Sequence, residues 1–200
     1  MGTCHSTPTP RQIHYNTFPT YMGAGCLFTD GKMALAALQR RKGTLSGLGG
    51  KREGIDADWF DTAWRETAEE LFGWDILPST LLVTLRSHVQ VEAVSSNSGY
   101  VILRYSFRIL EQFLAFCSGY TSPFYERMPT TLTELILERN TEAEGEIGGL
   151  ALLPIHKTPY RLDPLFQVDL LEILKDPSPP LSGRPSQSGA EPSQAPYSSA

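Results

Sequence analysis

Cysteine is scarce in this chain: Cys4, Cys26 and Cys117 are its three among 200 residues. An odd, sparse count excludes a disulfide framework and suits a reducing compartment, so a cytoplasmic location is expected. No Cys-x-x-Cys pair and no Cys/His pair at zinc spacing occurs, and the four histidines are scattered. That leaves a zinc centre without a sequence basis. Long apolar runs are missing too. None reaches membrane-spanning length, and residues 1–20 hold no stretch of the secretory kind. There is no Lys/Arg block either: 17 basic against 22 acidic residues give a net charge of −5. A surface for duplex nucleic acid is therefore not expected, since such surfaces follow phosphates with basic side chains. A small phosphorylated substrate held through a cation remains compatible with an acidic chain, because the metal supplies the positive charge.

What is present is enough for a core. Hydrophobic residues make up 40% of the chain and charged residues 20%. The length fits one domain with tails. Residues 1–19 are Thr/Pro-rich and unpatterned, and a flexible N-terminal segment is expected there. From Pro177 to Ala200 the chain holds six Pro, seven Ser and two Gly in 24 residues. That composition cannot bury enough apolar surface to offset its ordering entropy, so 177–200 is expected to be a disordered tail. The folded domain then runs from 20 to 176. Met1-Gly2 with Ser6 fits the myristoylation template, and Cys4 offers a second acyl site. One acyl chain anchors weakly and two anchor stably, so acylation of Gly2 and Cys4 would give membrane association. Without acylation this is a tail that begins with Gly by chance.

The middle of the chain reads as mixed α and β. Residues 25–28 followed by Asp30-Gly31 predict a strand entering a hairpin, with 33–39 as the returning strand. Residues 45–50 lead into a Gly-Gly element. Residues 81–91 and 100–110 read as strands joined by a turn at 95–99. The stretch 111–140 predicts one or two helices, most clearly at 132–137. Its length suggests a binding loop that influences substrate choice. Residues 147–153 read as a strand ended by Pro154. Asp163-Pro164 opens a helix that runs to Lys175, with Asp as N-cap and Pro in the first turn. A mixed sheet flanked by helices follows.

Residues 58–72 predict the helix that matters most. At about 100° per residue, Phe60, Ala63, Trp64, Thr67 and Leu71 form one apolar stripe. Glu66, Glu69 and Glu70 share another face, brought side by side by the i, i+3 and i+4 spacings. A solvated acidic face would look the same. Like charges at that spacing cost roughly 0.2–0.5 kcal/mol per pair, and carboxylates near a helix C-terminus oppose its dipole. A shared hard cation reverses both signs. Upstream, Gly49-Gly50 let a loop backbone approach closely. Arg65 can grip a carboxylate with two nitrogens, and Gly73 stops the helix.

The stretch 47–74, GLGGKREGIDADWFDTAWRETAEELFGW, resembles the Nudix box. That box runs Gly, five residues, Glu, seven residues, then Arg-Glu-aliphatic-x-Glu-Glu-x-Gly-aliphatic. Gly50 matches the first glycine, and Arg65, Glu66, Glu69 and Glu70 match in register. Asp56 stands in place of the first glutamate, with eight residues between it and Arg65; Glu53 is the other candidate. Thr67 replaces an aliphatic residue, and Gly73 falls one place late. The resemblance covers residues 21–175, with the box as its specific part.

The resemblance implies an α/β (α+β) fold, a Nudix-type α/β/α sandwich with a mixed β-sheet. It implies a metal-dependent phosphoanhydride hydrolase using Mg²⁺ or Mn²⁺. Glu66, Glu69 and Glu70 would be ligands, and Glu69 and Glu70 both stay open as general base. Arg65 completes the catalytic group by orienting a carboxylate. Family members often add an acidic residue from a distant loop. Here Glu146 is favoured, then Glu144, with Glu142 in the same cluster and Glu111 and Glu126 behind them. Gly50 and Lys51 are candidates to meet substrate phosphates, with Arg52 as the alternative to Lys51; solvated side chains at 51 and 52 are the other reading. Trp74, Tyr100, Tyr105 and Phe107 are candidates to stack a base, although core packing is the commoner use of aromatics. The expected substrate is a nucleoside diphosphate derivative, and a capped RNA end lies within the family's range. The alternative is a non-catalytic Nudix-fold module that binds a nucleotide or a protein.

Overall fold

The structure is a computed structural model that describes residues 20–91, 93–97 and 99–175. The expected flexible segments 1–19 and 177–200, and the acylation sites Gly2 and Cys4, lie outside the described residues. No helix among the described residues is long and apolar enough to cross a membrane.

Two sheets form the centre. The first has strands β1 (Gly23–Phe28), β4 (Leu48–Lys51), β5 (Ala93–Asn97) and β6 (Tyr100–Tyr105) in the order β4-β1-β6-β5. It is mixed, since β1 runs parallel to β6 and antiparallel to β4. The second is antiparallel, with β2 (Met33–Gln39) between β3 (Thr44–Ser46) and β7 (Ile147–Pro154). Side-chain alternation shows how both are covered. Ala24, Cys26 and Phe28 of β1 point into one core with Trp64 and Leu71, whereas Leu27 points into another with Phe166 and Leu170. The first core belongs to α1 (Trp59–Phe72), α2 (Ser79–His88), α3 (Phe107–Cys117) and α4 (Leu132–Leu137). The second is closed by α5 (Pro164–Lys175). Helices therefore cover both sides of the strands, in an α/β/α sandwich.

The Asp30-Gly31 turn forms, but it does not make the expected hairpin. Asp30 Oδ1 accepts from the N–H groups of Lys32 (2.8 Å) and Met33 (2.7 Å), and Gly31 has φ 85°. After one bridge, Thr29 to Ala34, the chain steps into the other sheet. Both edges of β1 are already taken by β4 and β6, so β2 pairs with β3 and β7 instead.

Three other expectations are corrected. Residues 81–91, read as a strand, hold most of α2. Their Val and Thr content favours strand, yet Leu81 and Leu85 are buried one helical turn apart while Val83 is exposed. Burial at helical spacing outweighs local propensity. The strand expected over 100–110 ends at Tyr105, and α3 follows at Phe107. Leu110, Phe113, Leu114 and Cys117 then bury a helical stripe. The turn expected at 95–99 is mostly β5, with Asn97 opposite Tyr100 and Gly99 at φ 83°. Elsewhere α1, α4, β7 and α5 form where the sequence placed them.

Candidate metal-binding cleft

Helix α1 is fixed at both ends. Asp58 caps it, accepting from the N–H groups of Phe60 (3.0 Å) and Asp61 (3.1 Å). Arg86 of α2 ties Asp58 to Asp61. At the other end Gly73 adopts φ 72°, and its N–H donates to Glu69 O at 2.8 Å. The stripe Phe60, Ala63, Trp64, Thr67 and Leu71 is wholly buried. This burial sets the rotation of the helix and turns the acidic face outward.

Arg65 lies beneath that face, 3% exposed. Its Nε and Nη2 grip both oxygens of Asp56, at 2.9 and 3.0 Å. Nη2 also reaches Lys51 O and Glu66 Oε1, each at 2.9 Å, and Nη1 stands 3.4 Å from Glu69 Oε2. One guanidinium thus joins the loop, the Gly-rich strand β4 and the acidic face. The open choice between loop carboxylates resolves toward Asp56, because Glu53 is largely exposed and its nearest oxygen is 3.9 Å from Arg65. Burial alone would raise the Asp56 carboxyl. Hydrogen bonds from Arg65, the Glu53 N–H and Thr62 outweigh it and hold Asp56 below the ordinary carboxylate value. Burial would also lower the Arg65 guanidinium, but Asp56 and Glu66 raise it.

The three box carboxyls shift the other way. Burial pushes Glu66 up to about 7; Arg65 pulls against it, and Glu69 and Glu53 add to it. Glu69 is raised by burial, opposed by Arg65 and supported by Asp75, Glu53 and Glu146. Glu70 is raised well above its ordinary value by burial, then by Glu66, Glu146 and Glu69, against a hydrogen bond from the Gly49 N–H at 2.8 Å. Glu146 therefore shares a field with Glu69 and Glu70, although it comes from a distant part of the chain.

These side chains line one cleft of about 890 Å³. Gly50, Lys51, Glu66, Glu69, Glu70 and Glu146 all border it, as does Glu144. Glu111, Glu126 and Glu142 do not. Of the candidate stacking aromatics, Tyr100 reaches the cleft; Tyr105 is fully buried, and Trp74 and Phe107 pack on the core. From 111–140, Pro123 and Phe124 reach the wall, so most of that stretch packs elsewhere. The glycines are required by close approach. Gly49 has φ 147°, and a methyl group there would strike Gly25 and the Tyr100 hydroxyl. A methyl group at Gly50 would overlap the Glu66 carboxylate. Gly50→Ala is therefore expected to displace Glu66 at a stability cost of about 1–3 kcal/mol. It should weaken divalent-cation affinity more than a remote substitution of equal cost, as calorimetric titration would reveal.

Sequence reasoning missed two features. Arg40 holds the acidic loop by its backbone, donating to the carbonyls of Thr141 (2.7 Å), Ala143 (2.8 Å) and Gly145 (3.2 Å). Within Arg40-Arg41-Lys42 it reads as a solvated charge, and nothing local marks it. The opposite wall comes from α5. Phe166 packs on Gly47, and Asp169 is pushed up to about 6 by burial and by Asp163 and Glu172. The α5 pattern announced a covering helix and gave no sign of a cleft wall.

The donor set consists of carboxylate oxygens, which suit a hard divalent cation. Burial raises these carboxyls first, and like charge among neighbours adds to it. No three His, Cys, Asp or Glu side chains among the described residues are gathered to metal-ligand spacing. The carboxylates thus face one space without forming a closed array.

No family model matches the chain, and no curated protein matches it. Among solved structures, a hydrolase of the NUDIX family from Clostridium perfringens is similar at 12% identity and a TM-score of 0.36, over 78% of this chain and 97% of that one. A likeness at that level adds nothing to what the box and the cleft carry.

Proposed function

We propose that the chain is a divalent-metal-dependent hydrolase that cleaves a diphosphate linkage in a nucleoside diphosphate derivative. The observation that carries this reading is the convergence of Glu66, Glu69, Glu70 and Glu146 on one cleft. Those four residues would hold Mg²⁺ or Mn²⁺. When bound, the metal would neutralise phosphate charge and lower the pKa of water. Glu69 and Glu70 both border the cleft, and either would serve as the general base. Arg65 orients Glu66 and ties it to Asp56. Gly50 and Lys51 border the cleft and would meet the phosphates, and Tyr100 borders the same cleft. A capped RNA end belongs to the same chemical class, since its cap is joined through phosphoanhydrides.

Metal-stripped protein tests the metal directly. Glu66 titrates higher in the fold than its ordinary value of 4.5, at about 7. The folded state therefore binds more protons than the unfolded state across that window, and stability falls as pH rises through it. Thermal denaturation without metal should show a lower melting temperature at pH 7.5 than at pH 5. Excess Mg²⁺ or Mn²⁺ at pH 7.5 should reverse the loss, by about 2.7 kcal/mol at 100 times the dissociation constant. No metal-induced stabilisation at pH 7.5 would contradict the reading.

One observation favours a second reading, a nucleotide-binding module without chemistry: the carboxylates are not gathered to ligand spacing among the described residues. Thermal stabilisation by nucleotides with no turnover would mark that module.

A further inference from the structure

The C-terminal turn of α1 poses a physical problem. It carries Glu69 and Glu70, which oppose the helix dipole, and it has no basic residue of its own. Its last carbonyls also need donors. Both needs are met from outside the helix. Arg139, just past α4 and 6% exposed, donates through Nη2 to Glu70 O at 2.9 Å and through Nη1 to Leu71 O at 2.8 Å. Ser122 Oγ donates to Phe72 O at 2.8 Å. Three successive carbonyls are thus held by the segment that follows α3.

The same guanidinium is held by aromatic rings. It lies 4.3 Å from the centre of Phe124 and 5.9 Å from that of Tyr125. Tyr125 in turn donates to Leu135 O at 2.7 Å, which fixes it to α4. Phe124 has a second role. Its ring packs against Gly73 at the end of α1 and against Gly145 between Glu144 and Glu146; a methyl group at either glycine would press on it. The Phe124 carbonyl accepts from the Asn140 N–H at 2.8 Å, at the start of the acidic loop. The Cζ tip of Phe124 therefore meets both the end of the helix that carries Glu69 and Glu70 and the loop that carries Glu146, and Arg139 occupies its face.

We propose that Arg139 is a positioning residue for the hydrolysis, acting as a clamp with Phe124. Arg139 sets the last turn of α1, and through Phe124 it sets the spacing between Glu69 and Glu70 and the Glu146 loop. Arg139 touches no substrate. This rests on the hydrolase reading above. A lysine at 139 keeps the charge and loses the two-nitrogen fork.

The test compares full-length wild type with Arg139→Lys and with Phe124→Leu, which keeps apolar bulk and removes the ring. Mn²⁺ affinity is measured by calorimetry, and kcat and KM on a substrate that wild type turns over. Both variants should bind Mn²⁺ about 10- to 100-fold more weakly and lose kcat to a similar extent, the scale of an outer-shell change at a metal site. KM should change little in Arg139→Lys, because Arg139 does not border the cleft. Tightening of Mn²⁺ binding by added substrate should be smaller than in wild type. Should Arg139→Lys fail to fold, Phe124→Leu decides the question alone. A folded variant with wild-type Mn²⁺ affinity and kcat, whatever its melting temperature, overturns the clamp and leaves the hydrolase reading intact. Wild type that neither binds Mn²⁺ nor turns over any substrate overturns both.

Discussion

Glu70→Gln is expected to remove turnover, by at least about 100-fold, without unfolding the chain. The two halves of that expectation have one origin. The Glu70 carboxyl is raised by burial and by Glu66, Glu146 and Glu69, so its ionised form is costly in the metal-free fold. The amide of Gln has nearly the same shape, and its oxygen can keep the hydrogen bond from the Gly49 N–H. Metal-free Glu70→Gln should therefore melt at or above the wild-type temperature at pH 7.5. It should gain less from added Mg²⁺ or Mn²⁺. A side chain that serves only the fold would give the reverse, a lower melting temperature with activity per folded molecule preserved. Steady-state kinetics and thermal denaturation on the same preparations distinguish the two patterns.

Arg65→Ala should give the largest loss of stability among substitutions at the site, about 3–5 kcal/mol by denaturant titration, because it leaves a buried carboxylate without its partner. Asp56 is the carboxylate in question, with its side chain 2% exposed and both oxygens on the guanidinium. The loss should shrink in the Arg65→Ala/Asp56→Ala double variant, since no stranded charge remains. Glu53→Gln should be nearly neutral, because Glu53 is 58% exposed and 3.9 Å from Arg65. The acid limb follows from the same contact. Asp56 titrates below its ordinary value of 3.8 in the fold, so its contribution is present above that value. It disappears as pH falls through the lower folded value. A cost below about 1 kcal/mol for Arg65→Ala, the range of exposed ion pairs, would show that the Asp56 contact is not the anchor described.

The helix with its three glutamates was legible because two independent patterns coincide there. Phe60, Ala63, Trp64, Thr67 and Leu71 fix its rotation, and Glu66, Glu69 and Glu70 occupy the face left over. Two of the three departures from the box have local structural explanations. The loop before α1 is longer, yet Asp56 still meets Arg65 through two hydrogen bonds. Gly73 comes one residue late and still supplies the left-handed helix end. Residues 81–91 misled because leucine and valine at close spacing satisfy either period, and only the neighbours decide which. Arg40 and Arg139 were not legible at all. Each acts on backbone carbonyls remote in sequence, and a carbonyl leaves no residue-type signal to pair with. The Phe124 contact with Gly73 and Gly145 is likewise a matter of tertiary packing.

The central claim is metal-dependent cleavage of a diphosphate linkage at Glu66, Glu69 and Glu70. Its most direct test is a panel of nucleoside diphosphate derivatives and capped RNA, incubated with Mg²⁺ or Mn²⁺ and again with excess chelator. Wild type should release phosphate-bearing products from at least one substrate only when metal is present, and Glu70→Gln should release none above background. Equal activity in wild type and in the Glu66→Gln/Glu70→Gln double variant, or activity untouched by the chelator, would contradict it.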